Sequence, residues 1–304
     1  GLRLYHDRAA SFDAWDIDHY VLKHGVTVAD QLRLTVLESG PVRAVLRGEA
    51  TIGSGSTVTI DYILEAGSRW LRIEVGVAWR ERHRLLKWHL ATGHRGRHAR
   101  FGTAFGSILR PQQPGDQSAE AMWEVPASRW AAATDEDGQG LAIVSEAKFG
   151  YSCKDGDLGL SLLRAPTDPD PEADQGEHRL RFAVGRYDAT TRGDMAATAA
   201  MADLLFTDPL VVNGGSLTPP PFSWEELGSL VPAWVLPEAD GGFTIRLHEV
   251  AGGSGIAVLA LAAAPDAVDL TDFLGKSLGK PRRRSPRTYE LAYQPYQIVS
   301  VRVR

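Results

Sequence analysis

Cysteine is almost missing. Cys153 stands alone among 304 residues, so no disulfide can close within the chain and no cysteine-based zinc site can form. Asparagine is as scarce: Asn213 is followed by two glycines, which leaves no N-glycosylation acceptor. No apolar run approaches the ~18 residues that a membrane helix needs. An excess of positive charge is lacking too. Lys and Arg number 33 against 38 Asp and Glu, a net charge of −5, which excludes a nucleic-acid face built on bulk charge. There is no G-x-S-x-G elbow, no P-loop, no strand-linked G-x-G-x-x-G and no H-E-x-x-H. We therefore expect a soluble chain in a reducing, cytoplasmic setting, with no nucleic-acid and no membrane partner.

What the chain does have is alternation. Hydrophobic residues make up 43%, an ordinary globular share, while 31 glycines and 17 prolines exceed the usual proportion and predict many turns. From Thr57 to Ala66, Val58, Ile60, Tyr62 and Leu64 share one face, with Thr59, Asp61 and Glu65 on the other. Beyond a turn at Ala66-Gly67-Ser68, Leu71, Ile73, Val75, Val77 and Trp79 repeat the pattern. Side chains two apart project from the same side of a strand, so each run buries one face and wets the other. With an earlier run near Val42–Ile52 and the Gly53-Ser54-Gly55-Ser56 break, this predicts an antiparallel meander rather than a doubly wound parallel sheet. Further strands are predicted at Gly140–Val144, Leu158–Leu163 and Leu180–Tyr187. A helix is predicted from about Asp194 to Phe206, with Met195, Ala199, Ala202 and Phe206 at helical spacing. Asn213-Gly214-Gly215 and Pro219-Pro220-Pro221 then form a stiff connector. Alternation resumes at Phe243-Ile245-Leu247 and at Val299, Val301 and Val303. The fold class is all-β, with residues 1–215 forming a large β domain and 216–304 a linker and a small C-terminal β-sandwich. The one basic cluster, Lys280 to Arg284, is expected in an exposed hairpin loop.

Candidate chemistry is sparse. His94 and His98 have i, i+4 spacing, but Gly93 and Gly96 argue against a helix, so they are not expected to bind metal together. His83 and His89 are expected as partly buried sheet residues. Asp13, Asp16 and Asp18 cluster around Trp15. Such acids beside an indole could cradle a sugar, but the preferred reading is that they cap turns and pair with arginine. A polar run from Arg164 to His178 holds three prolines and ends in Asp174-Gln175-Gly176-Glu177-His178; long loops between strands are where binding residues gather.

Four stretches resemble a known family. They are Phe12-Asp13-Ala14-Trp15-Asp16-Ile17-Asp18; Trp79-Arg80-Glu81-Arg82-His83-Arg84-Leu85-Leu86-Lys87; Phe105-Gly106-Ser107-Ile108-Leu109-Arg110-Pro111; and Gly140 to His178, which includes Glu146-Ala147-Lys148-Phe149-Gly150-Tyr151-Ser152. Together they resemble the C-terminal half of glycoside hydrolase family 38, the α-mannosidases, in its bacterial and vacuolar-type branch. Gly242 to Glu249 is similar to the family's last β-domain. The chain departs from the family pattern at Gln112-Gln113 and at Ala121-Met122-Trp123-Glu124.

The resemblance implies a galactose-mutarotase-like supersandwich, here lacking its N-terminal strands, followed by the small β-sandwich. It implies that the zinc ligands and the aspartate nucleophile belong to an N-terminal catalytic domain whose motifs do not occur here. The chain begins at Gly1 rather than Met, and we expect it to be the later part of a longer, retaining α-mannosidase. No cofactor is expected in this part, and zinc is expected in the missing domain. Alone it would be inactive, completing a carbohydrate cleft for an α-mannoside and bracing its catalytic partner domain, with homo-oligomerisation possible. The resemblance assigns substrate binding to Arg164, with Asp174 and Gln175 beside it. The alternative is a free-standing carbohydrate-binding or mutarotase-like module, for which Glu177 and His178 are the adjacent acid/base candidates.

Overall fold

The computed structural model describes every residue except 29–31, 114, 122–123, 209, 212 and 215–218. The expected domain boundary at 215/216 lies outside the described residues. The chain divides into two compact units. The first comprises Gly1–Phe101, Ile108–Thr190 and Ala202–Phe206; the second comprises Gly102–Ser107, Thr191–Met201 and Thr207–Arg304.

The described residues are nearly all β, in antiparallel sheets. In the first unit, Arg43–Ile52, Ser56–Glu65 and Trp70–Trp79 form the meander that the alternation predicts, joined in register by pairs such as Gly48↔Ile60 and Ile60↔Val75. They belong to a nine-stranded sheet, in which Trp70–Trp79 pairs next with Gly176–Asp188. That strand starts at Gly176, earlier than the expected Leu180, so Glu177 and His178 lie in the sheet rather than in the polar loop. As strand neighbours they point to opposite faces, which removes them as a cooperating pair.

A six-stranded sheet packs face to face on this one. At its centre lie Leu2–His6, Arg84–Ala91 and Asp157–Arg164. Trp88 meets Phe182 of the opposite sheet edge-on at 5.1 Å, within a core that also holds Leu2, Leu4, Leu86, Leu158 and Leu160. Burying such side chains is the main force holding two sheets together, worth about 1.5–3 kcal/mol for each large one.

In the second unit, a four-stranded and a five-stranded sheet share a core of Leu247, Leu259, Leu291, Val299 and Val301. Phe243–Glu249 and Ile298–Val303 pair directly, as Leu247↔Val299 shows. The basic cluster is part of a strand, Arg282–Ser285, in a hairpin with Thr288–Tyr293; Arg282 and Arg284 both bind the Glu290 carboxylate. The predicted helix runs Arg192–Phe206. Met195, Ala199 and Ala202 are buried as expected, but Phe206 is exposed.

Candidate carbohydrate cleft on the six-stranded sheet

The face of the six-stranded sheet turned away from the core is polar, yet much of it is buried. Along Leu2–His6, Leu2 and Leu4 face the core while Arg3 and Tyr5 face outward. Along Arg84–Ala91, Leu86 and Trp88 face the core, so Lys87 and His89 face outward. Residues 7–24 fold across part of this face, and Val21 packs there against Tyr5 and Leu85, with Ile17 and Leu22 beside them. Between this segment and the Glu124–Pro126 and Gly150–Lys154 strands lies a cleft of about 730 Å³.

A hydrogen-bonded chain forms the cleft floor. The Tyr5 hydroxyl lies 2.8 Å from His89 Nε2, and His89 Nδ1 lies 3.1 Å from Asp157 Oδ1. Arg3 donates to Asp157 Oδ2 at 3.1 Å. A carboxylate only accepts, so neutral His89 carries its proton on Nδ1, and Nε2 accepts a hydrogen bond from the Tyr5 hydroxyl. Burial, the largest influence, holds His89 below its ordinary pKa, against the pull of Asp157. Burial also works against ionisation of Asp157, but His89 and Arg3 outweigh it and keep the carboxyl below the usual range. Behind the floor, fully buried Lys87 binds Glu124, and Ser161 donates to Glu124 at 2.8 Å.

The acid cluster shapes one wall. Asp13 accepts the backbone N–H groups of Thr167 at 2.7 Å and Asp168 at 3.3 Å, and Asp18 accepts that of Ala10 at 2.9 Å. Burial opposes ionisation of Asp13, yet these N–H groups hold its carboxyl below the usual range. Asp13 thus ties this segment to residues 167–168 and Asp18 ties it to Ala10, rather than capping local turns, and Arg164 meets the backbone carbonyls of Asp13 and Asp16 rather than their carboxylates. Trp15, Asp16 and Asp18 line the cleft, with Phe149 across it; Trp15 is 73% exposed and Phe149 57%.

Arg164 holds this wall in place. Its Nε binds the Asp7 carboxylate, and its terminal nitrogens donate to the carbonyls of Asp13 at 3.0 Å, Ala14 at 3.3 Å and Asp16 at 2.6 Å. Burial raises the pKa of Asp7, and Arg164 opposes that rise. Asp174 accepts the Arg164 backbone N–H at 3.0 Å, and Gln175 donates to the Glu81 carbonyl at 2.6 Å. Asp174 thus meets the Arg164 backbone while Gln175 meets Glu81, and none of Arg164, Asp174 and Gln175 lines this cleft. Sequence reasoning assigned no site role to Tyr5, Lys87 or Asp157. The usable signal was the polar side chains of Lys87 and His89 alternating with Leu86 and Trp88 in one strand.

Among the described residues no group of three or more His, Cys, Asp and Glu could hold a metal ion. His94 pairs instead with Asp135, Nδ1 to Oδ2 at 3.1 Å. No helix among the described residues is long and apolar enough to cross a membrane.

Residues 1–172 match the Glycosyl hydrolases family 38 C-terminal domain. Alpha-mannosidase 2C1 of Homo sapiens is 29% identical over 309 residues, covering 98% of this chain and 29% of that protein. Alpha-mannosidase G of Dictyostelium discoideum is 29% identical over 187 residues, covering 60% of this chain and 17% of that protein. The chain thus spans less than a third of either relative. An alpha-mannosidase structure from Enterococcus faecalis superposes over 100% of this chain and 38% of its own, with a TM-score of 0.77 at 16% identity, a likeness of fold. The chain belongs to glycosyl hydrolase family 38, through that family's C-terminal domain.

Proposed function

We propose that this chain is the C-terminal β region of an enzyme that hydrolyses α-mannosides, and that it completes the carbohydrate cleft and braces a zinc-dependent catalytic domain. The observation that carries this reading is the match itself. The chain aligns along 98% of its length with an α-mannosidase of which it covers only 29%. The metal and the nucleophile belong, in this reading, to the remainder of the enzyme, and no catalytic step is assigned to residues 1–304. A planar guanidinium presents donors in fixed geometry. In Arg164 those donors grip Asp7 and the 13–16 backbone, so its service to substrate, with Asp174 and Gln175, is to fix the wall that carries Trp15. A cytoplasmic setting goes with the reading. Cys153 is an unpaired thiol whose pKa burial pushes up to about 12, an inert group in a reducing compartment.

The test compares the longer protein and this chain on p-nitrophenyl α-mannoside. Turnover that needs zinc is expected from the longer protein and none from the chain alone. Hydrolysis by the chain alone would overturn its supporting role, and a longer protein that cleaves other glycosides but not α-mannosides would overturn the substrate class. Arg164→Ala in the longer protein is expected to lower kcat/KM about tenfold, through lost orientation of the wall. Arg164→Lys, which keeps the charge but not the planar fork, should not restore it.

A further inference from the structure

We propose that the cleft above Tyr5, His89 and Asp157 is itself a binding site for a neutral sugar, with the ring against Trp15 and a ring hydroxyl on Asp157. This rests on the α-mannoside reading above and names where in the chain a sugar would sit. Three observations carry it.

The first is the pairing of a flat apolar wall with a polar floor. Trp15 is 73% exposed while its backbone is tied down: its N–H donates to the Phe12 carbonyl at 2.8 Å, and Arg164 grips the carbonyls on either side of it. An exposed indole on a fixed loop is costly to leave in water and suits the apolar face of a sugar ring.

The second is the state of Asp157. His89 Nδ1 lies 3.1 Å from Oδ1 and 3.2 Å from Oδ2, and Arg3 donates to Oδ2, which fixes the plane of the group, while its side chain remains 32% exposed at the cleft. An ionised carboxylate has about four acceptor sites; Oδ2 already meets both Arg3 and His89, so the free capacity lies on Oδ1. One hydroxyl of a pyranose can donate to that oxygen. His89 and Tyr5 pre-order the acceptor before ligand arrives, so little ordering remains to be done on binding.

The third is charge. Arg3, Lys23 and Lys154 line the cleft together with Asp16, Asp18, Glu120, Glu124 and Asp157, and the Glu124 charge is matched by Lys87 behind it. With Glu124 so matched, three cations face four carboxylates, a balance that fits an uncharged ligand better than a phosphate. The volume of about 730 Å³ lies within the range of small-molecule sites.

The experiment is saturation-transfer NMR with titration of this chain by methyl α-D-mannopyranoside, using mannose 6-phosphate as the charged comparison. Transfer to the neutral glycoside is expected, with weaker binding of the phosphate. Trp15→Ala removes an exposed side chain and leaves the sheet intact; it is expected to weaken binding about tenfold or more. Asp157→Asn removes a charge-assisted acceptor and is expected to have a similar effect. No transfer from the wild-type chain overturns the proposal, as does unchanged affinity in Trp15→Ala or a preference for the phosphate. If the longer protein fails to hydrolyse α-mannosides while this chain still binds the neutral glycoside through Trp15, the functional reading falls and the cleft stands.

Discussion

Lys87 is fully buried, and the atoms holding it are the Glu124 carboxylate and the Ser161 hydroxyl, at 3.0 Å from Nζ. A buried ion pair is weak evidence for net stability, because desolvating two charges offsets much of their attraction. Removing one partner is a different matter. Lys87→Met would leave the Glu124 carboxylate, only 14% exposed, without its cation, and about 3–5 kcal/mol of stability should be lost. Lys87→Met with Glu124→Gln should recover much of that loss. Urea denaturation of the two variants checks this, and the double variant should unfold at the higher urea concentration. Arg164 follows the same logic at the end of a central strand. The sequence marked it as a substrate residue, and the structure gives its side chain partners within the chain.

At the scale of elements, the outer sheet face depends on two strands lying very close. Gly25 pairs with Tyr5, and a Cβ added to Gly25 would come within 2.4 Å of the Tyr5 ring. The ring lies over the glycine and is almost wholly buried. The same device recurs on the larger sheet, where Gly185 pairs with Trp70 and its added Cβ would meet the indole at 2.4 Å. Bare glycine is what lets an aromatic ring lie flat across a strand at such positions. Gly25→Ala should therefore push the Tyr5 ring aside, cost about 1–3 kcal/mol, and loosen the contact with His89. Thermal denaturation reads the first effect, and a changed His89 imidazole resonance reads the second. A variant as stable as the wild type, with an unmoved His89 signal, would show that the ring has room to move.

Stability against pH belongs to the whole molecule, because it compares the folded chain with the unfolded one. His89 has a folded pKa below its unfolded value of about 6.5. Below that value the unfolded chain takes up a proton that the folded chain resists, so the His89 contribution is complete above about pH 6.5 and falls on acidification. Asp157 is also depressed, and its contribution is lost only further down, below the ordinary carboxylate range. Asp7 is raised by burial and acts in the opposite sense. The denaturant midpoint of the wild type should therefore fall between pH 6.5 and 5. His89→Gln keeps a polar side chain without the titration, and its midpoint should fall less over the same window. Equal slopes for the two would show that His89 is not responsible.

The antiparallel, nearly all-β character was legible in residues such as Ile60, Ile73, Val75 and Val77, because a one-sided apolar repeat of two has one way to be buried. The quoted segments were also enough for the family. What the sequence could not decide was register. Tyr5, His89 and Asp157 are 84 and 68 residues apart, and they meet only because Leu2–His6 and Asp157–Arg164 both pair with Arg84–Ala91, with Leu4 opposite Leu86 and Gly159 opposite His89. Neighbouring strands are chosen by how two apolar faces pack together, which no local pattern encodes. In the same way Arg164 was legible as a conspicuous side chain, but its partners, Asp7 and the 13–16 backbone, lie about 150 residues earlier and reach it only in the folded sheet.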